Sequence, residues 1–337
     1  MASNASESTF ASTPLVWLIT GTSSGLGAAL VPAVLARGDR VIATARSLAS
    51  IAHLADPDRV CVRALDVTAG PTALTAIVAE CARVWGRIDV VVNNAGAGLP
   101  GLLEEGGSDL LRRQFDVNFF GVMDVISAAL PHLRAQRSGT VVIVGSRSAW
   151  KPEHPVRRVP LPPPPDRPSL SPPSQGLGAP SAHANLFLAD VSPCVPGHYA
   201  ASKAALHALA GTLAAELAPL NIRVLALAPG AFRTAMYGQA YPAYHTANAI
   251  ADYDQVRAQS MARFASVSGT ERGDPVKAMS ALVDVVRGEG VARGKAWPAH
   301  GLVLGEDAEQ DVRAGCARVV EGVEEWLDVV RGVSFDE

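Results

Sequence analysis

Tyr199 and Lys203 stand four residues apart in the run His198 to Leu206, HYAASKAAL. On a helix, positions i and i+4 share one face, so the phenol and the ammonium can point into the same small volume. A free phenol has a pKa of about 10, and an ammonium held nearby favours the phenolate. Such a tyrosine can exchange a proton with an oxygen near neutral pH. Interconverting a carbonyl and an alcohol needs that step, together with a hydride from elsewhere. A tyrosine at a helix start beside an unrelated lysine is the bland alternative, so the rest of the chain must decide.

A hydride source is suggested near the start. Leu15 to Thr20 is a short apolar run that predicts a buried strand. It leads into TGTSSGLG, Thr20 to Gly27, and then into a helical stretch ending near Arg37–Gly38. Strand, glycine turn and helix form the setting of a dinucleotide-binding turn. Gly21, Gly25 and Gly27 let backbone approach a pyrophosphate and let the helix pack on the sheet, with Thr22, Ser23, Ser24 and Leu26 between them. The spacing is Gly-x-x-x-Gly-x-Gly. The second strand, Arg40 to Ala45, is followed by Arg46, where an acidic residue would accept from a ribose 2′-hydroxyl. Asp39 comes too early for that role. A guanidinium pairs well with a 2′-phosphate, so the expected cofactor is NADP(H).

Further strands are predicted at Val60 to Leu65, Ile88 to Val92, Thr140 to Val144 and Arg223 to Ala228, with a seventh at Gly301 to Leu304. Helical stretches cover Thr72 to Val84, Gly107 to Leu130 and Asp307 to Val330. The alternation predicts an α/β fold: a doubly wound, parallel, Rossmann-type sheet of about seven strands with helices on both faces. Asp66–Val67 and Asn93 to Gly96 then fall at strand ends, where ligands sit. Asn118 lies inside a helical stretch, so it is either exposed or bonded to something.

The 337 residues carry a net charge of −3 and 48% hydrophobic content. No basic block points to nucleic acid. The four cysteines show neither metal spacing nor disulfide density. No apolar run approaches the ~20 residues of a membrane span. A cytoplasmic protein is expected, with residues 1–14 as a disordered tail and 15–337 as a single domain.

One segment departs from the pattern. Residues 151–196 hold about half of the chain's 24 prolines. This composition predicts polyproline-like or irregular chain. A second segment, 235–267, follows the sixth strand and carries Tyr237, Tyr241, Tyr244, Tyr253 and Phe264. Its aromatic lining suits a medium-sized, partly apolar carbonyl compound or alcohol, though a helix pair packing on the core reads equally well.

The glycine turn, the NNAG run at Asn93 to Gly96, Asn118, Ser146 and the Tyr199/Lys203 pair together resemble the short-chain dehydrogenase/reductase family over about Leu15 to Ala235. PGAFRT at Pro229 to Thr234 and LGEDA at Leu304 to Ala308 look like a branch common in fungi. The resemblance implies that Tyr199 is the general acid in reduction and that Lys203 lowers its pKa and holds the nicotinamide ribose. Ser146 would bond the substrate oxygen, and Asn118 would hold a water linking Lys203 to solvent. Asp66 and Val67 would meet the adenine. Asn93, Ala95 and Gly96 would meet the cofactor ribose and sheet core, and Pro229, Gly230 and Thr234 the carboxamide region. Pairing through the helices bearing Asn118 and Tyr199 would give a homodimer or homotetramer.

Two departures stand out. Gly145 replaces the first serine of the family's usual Ser–Ser, and Ser148 is a second candidate for the serine role. Ser146 stands 53 residues before Tyr199, about 40 more than the family's usual spacing; fourfold longer loop closure costs only roughly 1.2 kcal/mol more. Three readings of the insertion remain: a surface excursion, a lid or partner-binding segment, or translated non-coding sequence. The function expected is an NADP(H)-dependent carbonyl reductase or alcohol dehydrogenase. A non-catalytic NADP-binding sensor or scaffold on the same fold is the alternative.

Overall fold

The computed structural model describes residues 14–151, 197–234 and 248–335. Seven parallel strands form one sheet in the order β3-β2-β1-β4-β5-β6-β7. These are β1 Val16–Thr20, β2 Arg40–Ala45, β3 Val60–Ala64, β4 Val90–Asn93, β5 Gly139–Val144, β6 Ile222–Pro229 and β7 Leu302–Leu304. Neighbouring central strands are apolar on both faces, as a sheet covered by helices on each side requires. Along β1, Val16 and Leu18 enter one core while Trp17 and Ile19 enter the other.

The first core is closed by α2 (Pro71–Val84), α4 (Gly121–Gln136) and α5 (Gly197–Leu217) through Leu74, Val78, Ile126, Leu133, Leu206 and Leu213. The second is closed by α1 (Gly25–Leu35) and α7 (Pro275–Arg287) through Leu30, Val34, Leu282 and Val283. The expected doubly wound fold is thus present. Strand order reverses between β1 and β4, and ligands of such sheets bind beyond the carboxyl ends at that point.

The long helical stretch predicted around Asn118 is divided. α3 runs Leu103–Phe115, a π-helical turn covers Asp116–Phe120, and α4 follows. Gly107, at φ 56°, bends α3 near its start. The closing helix is also divided, into α8 (Glu306–Glu325) and α9 (Leu327–Arg331), with α6 (Asp254–Val267) earlier in the chain. Asp39 sits at the far end of β2 from the cofactor turn. It is buried and bonded to Trp17 Nε1 at 2.9 Å and Arg287 Nη1 at 2.7 Å.

The proline-rich segment from residue 152 to 196, the residues before 14, and Tyr237, Tyr241 and Tyr244 lie outside the described residues. No described helix is long and apolar enough to cross a membrane.

Candidate active site

A cleft of about 580 Å³ opens at the carboxyl edge of the sheet, within the range of small-molecule sites. Its floor is the turn after β1. Gly21 has φ +72°, and a Cβ there would lie 2.9 Å from Ala95 Cα. A Cβ on Gly27 would overlap the Gly21 carbonyl oxygen. The first glycine therefore permits the turn and the last permits close helix packing. α1 begins at Gly25 with no side chain capping its N-terminus, and Ser23 and Ser24 are exposed on the cleft. The start of α1, at Ser24 to Leu26, thus lines the opening, and a helix N-terminus there favours a phosphate.

Gly21, Ser23, Ser24, Gly25 and Leu26 line the cleft; Arg46, Asp66 and Val67 stand at one end. Ala95, Gly96, Pro229, Gly230 and Thr234 line its other walls. Asp66 accepts from Thr68 N at 2.9 Å and Thr68 Oγ1 at 2.8 Å. The Thr68 backbone bond is the main cause holding its carboxyl below the usual range, with Arg46 adding to it. Three residues expected at the cofactor are not among those lining the cleft. Thr22 is buried with its hydroxyl on Thr44 O. Gly27 packs on the turn, and Asn93 is buried with Nδ2 toward Val142 O. They shape the cleft from behind.

The helix α5 places Tyr199 and Lys203 on one face, both buried. Lys203 Nζ lies 5.7 Å from the Tyr199 ring centroid and donates to Val144 O at 2.7 Å. Burial pulls this ammonium down to about 8, which still leaves it mainly protonated at neutral pH. A Cβ on Gly96 would lie 3.6 Å from Lys203 Nζ and 3.3 Å from Asn118 Oδ1, so the backbone runs close to both groups here. Asn118 is fully buried in the π-helical turn. It accepts from Ala97 N at 2.9 Å and donates to Ala97 O at 2.9 Å and Ser202 Oγ at 3.1 Å. It ties the loop after β4 to α5, which answers the choice between exposed and bonded.

Ser146 follows β5, and its Oγ accepts from Ser148 N at 3.2 Å and lies 3.1 Å from Ser148 Oγ. Both serines line the cleft with Tyr199 and Lys203. The missing first serine has a steric reason, since a Cβ at position 145 would overlap His207 Nε2. His207 lies one turn beyond Lys203 and packs edge-on against Trp150, with ring centroids 4.3 Å apart.

The sequence did not single out Asn94, whose Nδ2 donates to Thr20 O at 2.9 Å and Gly21 O at 3.0 Å and so braces the glycine turn. Its position in the NNAG run was the available signal. Nor did it single out Glu105 at the start of α3. Its carboxylate is enclosed and pairs with Arg257 of α6, accepting from Nε at 3.1 Å and from Ile250 N at 2.9 Å. Tyr253 OH donates to Glu104 Oε2 at 2.6 Å. These bonds fasten α6, whose Phe264 lines the cleft, onto α3. Arg257→Ala removes the enclosed carboxylate's counter-charge. Substrate KM should then rise by about tenfold or more, and trypsin should cut faster after Arg263, the basic residue left within 248–267. An unchanged KM would separate α6 from substrate binding.

Cleft, glycine turn and buried lysine belong together in one class of protein. The model of the short chain dehydrogenase family matches residues 15–156 and 190–244. The chain belongs to that family and is an oxidoreductase whose fold binds a nicotinamide cofactor and takes small-molecule substrates. Residues 157–189, the middle of the proline-rich segment, fall outside the match. Fungal relatives include the oxidoreductase BOA17 of Botryotinia fuckeliana, 28% identical over 93% of this chain and 97% of that protein. Another is the oxidoreductase claN of Passalora fulva, 34% identical over 65% of this chain and 82% of that protein. Among solved structures, a short-chain dehydrogenase from Streptomyces avermitilis is similar, with a TM-score of 0.72 and 30% identity. That match covers 96% of this chain and 99% of the other.

Proposed function

We propose that this oxidoreductase interconverts a carbonyl and an alcohol on a medium-sized, partly apolar molecule, with NADP(H) as its cofactor. The observation that carries the reading is the buried Lys203 ammonium, 5.7 Å from the Tyr199 ring on the cleft wall that also bears Ser146. The uncapped α1 N-terminus and the glycine turn fit a dinucleotide pyrophosphate, and exposed Arg46 at the cleft's end fits a 2′-phosphate. Bound there, the reduced cofactor supplies a hydride to the carbonyl carbon.

The chain's own residues handle the oxygen. The Ser146 hydroxyl donates to it and stabilises the negative charge that develops. The Tyr199 hydroxyl passes its proton to it, leaving a phenolate beside the Lys203 ammonium, and the product is an alcohol. Oxidation runs the same transfers in reverse. Asn118 holds the loop after β4 against α5 and so keeps Lys203 in register.

Two measurements test this. NADPH consumption across a panel of ketones and aldehydes should identify a substrate; no turnover on any of them, with NADPH bound, would favour a non-catalytic binder. Arg46→Ala should raise the NADPH KM by about 10- to 100-fold, the loss of a charge-assisted contact. KM for NADH should stay the same. Equal effects on both cofactors would place the 2′-phosphate elsewhere.

A further inference from the structure

Asp307 lies in the first turn of α8, far along the chain from the catalytic pair, and reaches both walls of the cleft. Its Oδ2 accepts from Ala231 N at 2.7 Å, in the loop after β6. The same oxygen lies 3.3 Å from Arg147 Nε, in the turn after β5. A Cβ on Gly230 would overlap Oδ1, so the glycine admits the carboxylate. The adjacent backbone is fixed as well, with Gly230 N donating to Leu304 O at 2.8 Å.

Arg147 is only 3% exposed. It pairs with Asp311 one turn further along α8, and Lys151 Nζ joins Asp311 at 2.9 Å. Arg318 donates to Trp150 O at 2.8 Å. A buried guanidinium next to the cleft with two carboxylates already on it has little capacity to recruit an anionic substrate. Its evident work is to hold the segment Ser146–Lys151 onto α8.

We infer that Asp307 is a positioning residue, joining the turn that presents Ser146 to the loop Pro229–Ala231 on the cofactor side. One carboxylate then sets the separation between the group that meets the substrate oxygen and the backbone that meets the nicotinamide. Catalysis is sensitive to such separations, since a displacement of about 1 Å can cost about 100-fold. The inference rests on the proposed roles of Ser146 and the β6 loop, and the two connections are separable. An asparagine at 307 can still accept from Ala231 N but brings no negative charge to Arg147. A lysine at 147 keeps the charge but loses the fork that spans two carboxylates.

The test measures kcat, both KM values and NADPH binding by fluorescence titration of the full chain. Asp307→Asn and Arg147→Lys should lower kcat by about 10- to 100-fold with NADPH binding unchanged. Asp307→Ala should lower kcat and also weaken NADPH binding. Glu309→Gln, on the exposed side of α8, is the control and should match the parent in both. If Asp307→Ala fails to fold, Asp307→Asn and Arg147→Lys decide the matter alone. Kinetics within twofold of the parent for these two, even with a lower Tm, would reduce Asp307 to a structural brace and overturn the inference. Failure of the underlying reading shows separately, as Ser146→Ala turning over normally.

Discussion

Tyr199→Phe is expected to lower kcat by about 100- to 10,000-fold, the range of a lost general acid. The variant removes one oxygen and keeps the ring. That ring packs under Lys203 Nζ at 5.7 Å, and the ammonium is anchored independently on Val144 O at 2.7 Å. The lysine should therefore stay in place. NADPH should still bind, its Kd shifting by less than about tenfold, the worth of one hydrogen bond. The pairing of results matters. Lost turnover with intact binding isolates the proton step, and retained turnover would take that step away from Tyr199. Loss of both would show that the ring, rather than its hydroxyl, supports the cleft.

The second large effect concerns pH and His207. Burial, with the Lys203 charge as a smaller cause, pulls this imidazole down to about 4, against about 6.5 in an unfolded chain. The folded value is the lower one, so between those limits the unfolded chain binds the extra proton. Stability is complete above about pH 6.5, falls as the pH drops toward about 4, and levels off below. By linkage the loss between pH 7.5 and pH 4.5 is on the order of 2–3 kcal/mol. His198 acts in the same direction. It is fully buried, burial lowers its pKa, and neither ring nitrogen has a hydrogen-bond partner among the described residues.

Carboxylates elsewhere also titrate over this range, so the informative quantity is the difference between the parent and His207→Gln. Urea unfolding at both pH values should show the parent losing roughly 2–3 kcal/mol more than the variant. Parallel losses would mean that His207 is hydrated in solution. A dependence this steep also sets the range for kinetic work. Below about pH 6, falling activity would mix chemistry with unfolding.

The parts of this protein that were readable in advance share a local cause. Strands β2 and β5 were placed within a residue because short apolar runs end in charged or turn residues. The glycine turn was legible because backbone conformation restricts residue type, and Tyr199 and Lys203 because helical spacing sets their common face. Asn118 shows the limit. Sequence placed it in a helix, but the π-helical turn that buries it depends on Ala97 and Ser202, distant in the chain. Thr22 and Asn93 sit in the right motifs yet do not line the cleft, since motif membership does not fix which way a side chain points, while Gly27 serves the close helix packing expected of it. Gly145 was legible as an oddity and became explicable only once His207 was seen to fill its space. Asp307 stood inside the LGEDA run, but nothing local gave it a task, because its partners are Arg147 and the backbone of Ala231.

The bond between Arg147 and Asp311 spans 164 residues, and this has a temporal consequence. Chains emerge from the ribosome from the N-terminus at about 5–20 residues per second. By the time Asp307 and Asp311 are free, β1 to β6 and the glycine turn have long been available to pair. The early strands and the glycine turn can thus assemble before Asp307 and Asp311 reach the Arg147 guanidinium. With Asp307 and Ser146 in the roles proposed above, the serine turn is tethered when α8 docks, and competence for chemistry comes late in the life of each new molecule.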